Sequence, residues 1–462
     1  MKNTREKALQ IINDVLYKGT FLEESLEILK ASNIDERDFA FIKEITTGVV
    51  RNKTYLDYVI RENSKVRFNR IHKIILSILE MAIYQMYFLD KVPDYSIVDE
   101  SVNLAKIYGN KGSISFTNGI LRSISKQKPL QVTLKNSIDN LSTYYSHPRF
   151  YTEYFYANYG EEFTKKLLKA NNEKPPFTIR VNTLKINRDE LIKNLTESGF
   201  EIEETTYVNA LNVLNPNGII DTEFFEKGYF YVQDLGSILV STFLNPSKDS
   251  KVLDLCAAPG GKTTHLSELM DNTGEIIACD KSKGKIKLIK ENAERLGCTN
   301  ISPRVNDARV LNEEFINNFD YVLVDAPCSG TGLYRKKPDI KWNKGIDDLK
   351  ELGVIQLEIL NKAKEYIREK GLLLYSTCSL SKIENEDVIE NFLKENENFK
   401  IKKLRDKDVL KLFPSVDGSD GFSICLLEKI NNYWRLWNFF TVFFLYLINF
   451  FKSIFICRCL MV

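Results

Sequence analysis

The sequence lacks several features that identify other classes of protein. Among its 462 residues there are only three histidines, and no two of the eight cysteines form a CxxC pair. Because structural zinc sites use closely spaced cysteines and histidines, we expect no metal. A charge excess is also missing, since 64 Lys and Arg residues stand against 62 Asp and Glu residues, a net charge of +2. A nucleic-acid partner must therefore be inferred from local patches.

A secretory signal is also missing. The first residues, MKNTREKALQIINDVL, are charged and amphipathic and contain no uninterrupted apolar core. We therefore predict a cytoplasmic protein with reduced cysteines, some of them reactive. The chain ends differently, because residues 436–451 carry no charge and eight of these sixteen are aromatic. This run is shorter than the about 20 apolar residues of a membrane span, so we expect no membrane partner and interpret 431–462 as an atypical extension.

The rest of the chain divides into three predicted domains. In residues 1–130, apolar residues recur at helical spacing, which predicts an all-helical domain. Residues 131–235 hold a polar linker, an aromatic-rich helix with Pro148 in its first turn, and strand–helix–strand patterns that predict a small α+β module. In residues 236–430 the apolar runs KVLDLC, EIIACD, YVLVDA and GLLLYSTC alternate with helices. Such runs predict a doubly wound α/β domain with a parallel sheet and ligands at the carboxyl ends of its strands.

The run VLDLCAAPGGKTTHL predicts a strand, a tight glycine turn and a helix. Its end resembles a phosphate-binding P-loop, but Cys256 stands where that motif needs glycine and Pro259 lies inside the loop. The spacing of a dinucleotide fingerprint is absent. Asp280 ends the next strand twenty residues after Gly260, the distance expected of an acid that binds ribose hydroxyls. An S-adenosylmethionine site fits best, and a glycine turn in an enzyme without this cofactor remains the alternative.

Two cysteines follow separate strands of the predicted sheet. Cys328 lies in DAPCSGTG behind Asp325, and Cys378 lies in STCSL fifty residues later. A single buried cysteine is usually a small apolar residue, but two at strand ends near a cofactor turn indicate covalent catalysis. A thiolate that adds to carbon 6 of cytosine activates carbon 5 for methylation, and an acid such as Asp325 assists at the ring nitrogen. The residues alone leave open which cysteine attacks.

The segment after Cys328, TGLYRKKPDIKWNK, is strongly basic. It suits phosphates near a target base, although charge alone favours a solvated face. The cations concerned are Arg335, Lys336, Lys337, Lys341 and Lys344.

The motifs CAAPGGKTTHL, DAPCSGTG and STCSL, in this order, closely resemble the NOL/NOP/Sun superfamily of RNA 5-methylcytosine methyltransferases. The segments ERDFAFIKEITTGVVRNKTYLD, YQMYFLDKVPDYSIVDESVNLAK and FTNGILRSI are similar to the NusB-type helical domain of the RsmB/Sun family, which methylates bacterial 16S rRNA. The resemblance covers about residues 4–429. It implies a multidomain chain: an all-α NusB-like domain, a small α+β RNA-binding module and a Rossmann-like methyltransferase domain.

The resemblance also implies roles for individual residues. Cys378 would be the nucleophile, and Cys328 would assist proton removal and product release. Asp280 would hold the ribose, Asp307 would lie beside the adenine, and Asp325 would lie between cofactor and base. The turn that lines the S-adenosylmethionine site would consist of Cys256, Ala257, Ala258, Pro259, Gly260, Gly261 and Lys262.

The implied partner is 16S rRNA, free or in a partly assembled small subunit. Two alternatives stay open: the same chemistry on tRNA or another rRNA site, and a non-enzymatic NusB-like RNA-binding or antitermination factor.

Overall fold

A computed structural model describes residues 4–90, 92–127 and 129–430, so the apolar extension lies outside the described residues. The chain forms two compact units. Among the described residues, the helical unit contains the chain from residue 4 to Pro175 together with Ser329–Leu349 and Phe413–Gly421, and the sheet unit contains Pro176–Cys328, Lys350–Leu412 and residues 422–430. Segments far apart in sequence therefore share a unit, which no local pattern predicts.

The helical unit is built around one helix that is mostly apolar and buried on every side. From Ile75 to Met86 every residue of this helix is buried, as expected of a helix enclosed by others. The predicted all-helical N-terminal region is confirmed. The α-helices of the helical unit up to Pro175 are α1 Thr4–Lys18, α2 Leu22–Ala31, α3 Glu36–Arg51, α4 Lys53–Asn63, α5 Lys73–Phe88, α6 Asp94–Tyr108, α7 Lys111–Ile124, α8 Ser137–Tyr144 and α9 Arg149–Ala170.

Two details differ from the sequence expectation. Pro148 occupies the N-cap of α9, one residue before its first turn, and Gly160 interrupts this helix with a φ of 78°. Helix α8 begins inside the stretch that we interpreted as a linker, because the Asn136 side chain accepts hydrogen bonds from the amides of Ile138 and Asp139 and caps the helix.

The small α+β module is a four-stranded antiparallel sheet in the order β2-β3-β1-β4. Asn187 caps α10 by accepting a hydrogen bond from the amide of Glu190, and Gly199 follows that helix at a φ of 89°, a conformation that glycine adopts without strain. The elements are β1 Thr178–Val181, α10 Arg188–Glu197, β2 Ile202–Glu204, β3 Ala210–Val213, α11 Glu223–Glu226 and β4 Phe230–Val232.

The large sheet has the strand order β10-β12-β9-β8-β5-β6-β7, with β11 paired to β12. Strands β5 to β9 are parallel, which confirms the predicted α/β domain, whereas β10, β11 and β12 pair antiparallel and make the sheet mixed. Its elements are α12 Leu235–Leu244, β5 Lys251–Asp254, α13 Gly261–Leu269, β6 Glu275–Asp280, α14 Lys283–Leu296, β7 Ile301–Val305, β8 Phe319–Asp325, α15 Ile340–Asn343, α16 Ile346–Tyr366, β9 Ile367–Thr377, α17 Glu386–Glu395, β10 Phe399–Lys402, β11 Leu410–Leu412 and β12 Phe422–Lys429.

Helix α15 lies within the helical unit, and the other elements after α9 belong wholly or mainly to the sheet unit. Within the described ranges, no helix is long and apolar enough to span a bilayer.

One buried arginine joins the small sheet to α13. Arg180 is 0% exposed. Its Nε and Nη2 atoms donate to the Glu268 carboxylate at 3.0 and 2.7 Å, and Nη1 donates to the Gly261 carbonyl at 2.7 Å. Further hydrogen bonds go to Thr264 Oγ1 and Gln233 Oε1. These partners satisfy a charge that is too costly to bury alone.

We expect Arg180→Met to lower the free energy of unfolding by ~3–5 kcal/mol, because the variant leaves the Glu268 carboxylate buried without its cation. Urea denaturation measures the change, and adding Glu268→Leu to the variant should recover part of it. Arg188→Met on α10 of the same small module is the control, because the partners of Arg188 are exposed, and its loss should stay below about 1 kcal/mol. Equal losses for the two arginine variants would contradict the role of the buried pair.

Candidate active site

The carboxyl ends of the parallel strands meet at one edge of the large sheet, and the predicted site residues lie there. Asp254, Asp280 and Asp325 are the last residues of β5, β6 and β8, and Cys378 directly follows β9. Asp307 comes two residues after the end of β7. In this fold class, that edge is where ligands bind.

The predicted cofactor turn connects β5 to α13. Its Ala257 amide donates to the Cys279 carbonyl at 2.8 Å, which attaches the turn to β6. Gly260 has a φ of 103°, and a Cβ atom on Gly261 would lie 2.8 Å from the Tyr231 ring, so both positions require glycine. Burial raises the pKa of the Cys256 thiol well above its usual range. Cys256 therefore stays protonated and is unsuited to act as a nucleophile.

Asp254 is 1% exposed and has an unusual environment for a carboxylate. Its Oδ2 atom accepts a hydrogen bond from Thr263 Oγ1 at 2.7 Å, while its buried Oδ1 atom has no hydrogen-bond partner among the described residues. Burial, reinforced by the Asp325 charge and opposed by the Thr263 hydrogen bond, raises the pKa of Asp254 to about 7. An unsatisfied buried oxygen is costly, and a ligand with a polar hydrogen would satisfy it.

Two other acidic residues of the predicted cofactor site, Asp280 and Asp307, differ in their hydrogen-bond partners. Asp280 Oδ1 accepts from the Ser282 amide at 2.9 Å, and its carbonyl accepts from the Asn306 amide at 3.1 Å. Asp307 is paired with Arg309, whose Nη2 lies 3.0 Å from its Oδ2, and this hydrogen bonding lowers the pKa of Asp307. The sequence did not point to Asn306, whose Nδ2 atom is buried without a hydrogen-bond acceptor in the described part of the chain.

Lys262 and Asp325 form an ion pair, with Nζ and Oδ2 2.6 Å apart. Burial works against the lysine charge, but the attraction of Asp325 outweighs it and the pKa of Lys262 is raised, so Lys262 stays protonated at neutral pH. The other oxygen, Asp325 Oδ1, accepts from Ser376 Oγ at 2.7 Å. No pattern in the sequence pointed to Ser376, which lies two residues before Cys378 on β9.

The two predicted cysteines are in contact. Cys328 Sγ and Cys378 Sγ lie 3.0 Å apart, and either thiol can donate to the other. This separation exceeds the about 2.05 Å of a disulfide. Hydrogen bonds also fix the loop around Cys378. Thr377 Oγ1 donates to Asn385 Oδ1 at 2.7 Å, and Asn385 Nδ2 donates to the carbonyls of Ser379 and Ser381.

For two cations of the basic segment after Cys328, the expected contact with phosphates is wrong, and so is the solvated alternative, because both side chains are buried. Arg335 is 4% exposed and donates to the Gly418 carbonyl at 3.1 Å. Lys341 is 2% exposed and donates to the Ser146 carbonyl and Asn172 Oδ1 at 3.0 and 2.8 Å. These two residues have their charges enclosed by the helical unit.

The other three cations of the segment form ion pairs: Lys336 with Asp420, Lys337 with Glu23, and Lys344 with Asp348.

The sequence predicts no metal site. Over the described ranges, no three His, Cys, Asp or Glu side chains are grouped so that they could hold a metal ion.

Three family models match consecutive parts of the chain. Residues 241–428 match the model described as 16S rRNA methyltransferase RsmB/F. Residues 2–126 match the NusB family, and residues 147–219 match the ferredoxin-like domain of RsmF/B-like methyltransferases.

Relatives cover nearly the whole chain. A Bacillus subtilis protein named probable ribosomal RNA small subunit methyltransferase B is 38% identical over 92% of this chain and 97% of its own length. A Photorhabdus laumondii protein named ribosomal RNA small subunit methyltransferase B is 33% identical over 93% and 100%.

Two solved structures have a similar fold. The crystal structure of PH0851 superposes with a TM-score of 0.75 at 28% identity and covers 92% of this chain and 98% of its own. NSun6 from Pyrococcus horikoshii with SFG superposes with a TM-score of 0.55 at 26% identity and covers 60% and 97%.

Asp254 provides a test of the buried site by pH. An unfolded aspartate loses its proton above about pH 3.9, whereas folded Asp254 keeps it up to a pKa of about 7. Between these values the folded state holds the extra proton, so stability that is present at low pH is lost as the pH rises. Asp254→Asn removes this dependence. Its stability relative to the wild type should rise by ~1.4 kcal/mol per unit between about pH 5 and about pH 7.

Urea denaturation of the ligand-free protein at several pH values measures this difference. Asp221→Asn, at an exposed position of the same unit, controls for the loss of one carboxylate. A constant difference between Asp254→Asn and the wild type over this interval would show that Asp254 ionises normally in the folded protein.

Proposed function

The chain belongs to the RsmB/F family of 16S rRNA methyltransferases, and from that premise we propose that it transfers a methyl group from S-adenosylmethionine to carbon 5 of a cytosine in 16S rRNA. The observation that carries the proposal is the contact of the Cys328 and Cys378 thiols at the sheet edge that also bears Asp325. One cysteine is enough to add to a pyrimidine ring. A second one in contact with it suits a reaction in which the first must be released afterwards.

The residues at the cofactor turn fit S-adenosylmethionine. Asp254 offers an unsatisfied buried acceptor and Asn306 an unsatisfied buried donor. We assign the ribose hydroxyls to Asp280 and the adenine side to Asp307, with the turn from Cys256 to Lys262 along the remainder of the molecule. When bound, this cofactor supplies an electrophilic methyl group. The related NSun6 structure contains SFG, an analogue of S-adenosylmethionine, which supports the same cofactor here.

Covalent activation of the base falls to Cys378. After its proton has left, the Sγ atom adds to carbon 6 of cytosine, and the electron pair of the carbon 5–carbon 6 double bond makes carbon 5 nucleophilic. Lys262 and Asp325 form an ion pair, and we assign to it the proton donor and acceptor at the ring nitrogen.

Product release falls to Cys328. Once carbon 5 carries the methyl group, its proton must leave so that the electron pair can restore the double bond and expel Cys378 from carbon 6. We assign the removal of this proton to Cys328, which lies 3.0 Å from the sulfur that departs. The substrate is 16S rRNA, free or in a partly assembled subunit in the cytoplasm, and the names of the relatives support the small subunit.

The two cysteine variants should fail differently. Cys378→Ala should abolish methylation and form no RNA adduct, because no nucleophile remains. Cys328→Ala should allow attack and methyl transfer but stall release, so that a covalent protein–RNA adduct accumulates on a denaturing gel. The double variant should lose that adduct, a non-additive result that is expected of residues serving successive steps.

Cys298→Ala is a matched control, since Cys298 is a buried cysteine that donates to the Thr264 carbonyl, and it should keep methylation and trap no RNA. If Cys378→Ala traps RNA while Cys328→Ala does not, the two roles are reversed. If no variant traps RNA, covalent catalysis is wrong.

Asp280→Ala should weaken S-adenosylmethionine binding by about tenfold or more, because two ribose hydroxyls would lose a charged acceptor worth ~1.5–3 kcal/mol. Calorimetry with the folded variant measures the affinity, and gel-shift titration should show RNA binding nearly intact. Asp221→Ala is the control at an exposed position. An unchanged affinity of the folded Asp280→Ala protein would refute this assignment.

A further inference from the structure

Gln356 on helix α16 is a buried amide that contacts the structure around both cysteines. It is 0% exposed. Its Nε2 atom donates to the Pro327 carbonyl at 2.9 Å and to Glu384 Oε1 at 3.2 Å. Pro327 is the residue before Cys328, so the first hydrogen bond holds the backbone immediately next to one thiol.

Glu384 extends this connection to the other cysteine. Its carboxylate is 0% exposed and accepts a hydrogen bond from Ser379 Oγ, and Ser379 is the residue after Cys378. The Glu384 carbonyl also accepts from the Tyr375 hydroxyl at 2.6 Å, which attaches the same residue to β9. The path from one thiol to the other therefore runs through Pro327, Gln356, Glu384 and Ser379.

We propose that Gln356 is a positioning residue that sets the separation of the Cys328 and Cys378 thiols by holding the loop before one and the loop after the other. This proposal rests on the proposed function, because the separation matters for release only if the two cysteines act in succession. The side chain itself need not touch the substrate. A displacement of about 1 Å at a reacting group costs up to about 10²-fold in rate, so one lost tether is enough to disturb the second step.

A role in packing alone makes a different prediction. Removing a buried amide from α16 lowers stability wherever it sits, but only a tether between the two loops changes how the thiols meet. The matched control is Asn396, another buried amide, which accepts from Lys364 Nζ at 2.6 Å and donates to Asn361 Oδ1 at 3.1 Å, both on α16. These partners, and the Phe392 carbonyl to which Asn396 Nδ2 also donates, lie outside both cysteine loops.

The experiment compares Gln356→Met, which keeps the length of the side chain, with Asn396→Leu in the full-length protein. The first measurement needs no RNA. The thiol oxidant diamide takes two electrons and two protons from the Cys328 and Cys378 thiols and leaves one disulfide, whose rate of formation is followed by peptide mass spectrometry. We expect Gln356→Met to slow this bond formation by about tenfold and Asn396→Leu to leave it within about twofold of the wild type.

The second measurement uses 16S rRNA and S-adenosylmethionine. Gln356→Met should accumulate the covalent adduct and release product about tenfold more slowly, with RNA affinity unchanged. Asn396→Leu should trap none. If Gln356→Met does not fold, Glu384→Gln serves instead, because it replaces one of the two oxygens that accept from Gln356 and Ser379 with an amide nitrogen. It should shift both measurements in the same direction.

Disulfide formation and adduct formation together distinguish a failure of the positioning role of Gln356 from a failure of the covalent mechanism. If Cys328→Ala forms no adduct but Gln356→Met still slows disulfide formation, the covalent mechanism is wrong. Gln356 then holds the two loops together, but the catalytic step for which it was proposed to position the thiols is wrong as well. If Cys328→Ala traps RNA and Gln356→Met behaves like Asn396→Leu in either measurement, the positioning role of Gln356 is overturned while the proposed function stands.

Discussion

The arrangement of the sheet unit depends on the buried guanidinium of Arg180. A charge at this depth is tolerated only where its hydrogen bonds are satisfied, and the satisfying groups come from the small sheet and from α13 together. Moving either element would break several charge-assisted hydrogen bonds at once. Because one of the acceptors is the Gly261 carbonyl, the same interaction also fixes the turn at which a cofactor would bind. The small sheet therefore helps to shape the candidate site without supplying a predicted site residue.

The polar groups near the cysteines follow the same principle. Ser376 holds Asp325, Asn385 holds the loop after β9, and Gln356 with Glu384 connects the two cysteine loops. These are polar groups whose partners are backbone carbonyls or other side chains in the interior. Networks of this kind are costly when incomplete and rigid when complete. Rigidity is what a site with two successive sulfur steps needs, because each thiol must reach a different atom of the same small ring.

Local patterns in the sequence predicted the parallel strands, the glycine turn and the residues at the strand ends, because strand periodicity and turn chemistry are set within a few residues. They missed Ser376, Gln356 and Glu384, which are ordinary residues made important by partners 28 to 51 positions away. They also misjudged Arg335 and Lys341. A cation in a basic run looks solvated in sequence, and only the folded chain shows that carbonyl oxygens of the helical unit enclose these two.

The candidate cofactor edge contains two buried polar atoms that have no hydrogen-bond partner among the residues the structure describes: a carboxylate oxygen of Asp254 and the amide nitrogen of Asn306. Folding tolerates few such groups, because each costs about 1–3 kcal/mol when it loses water and gains no partner. A ligand that supplied one donor and one acceptor here would recover that free energy on binding. Burial also raises the pKa of Asp254, since a carboxylate that has lost water and has few donors holds its proton more tightly. The free-energy cost of the two unsatisfied atoms and the capacity of this edge to bind a ligand thus come from the same residues. Functional sites commonly give up stability in this way.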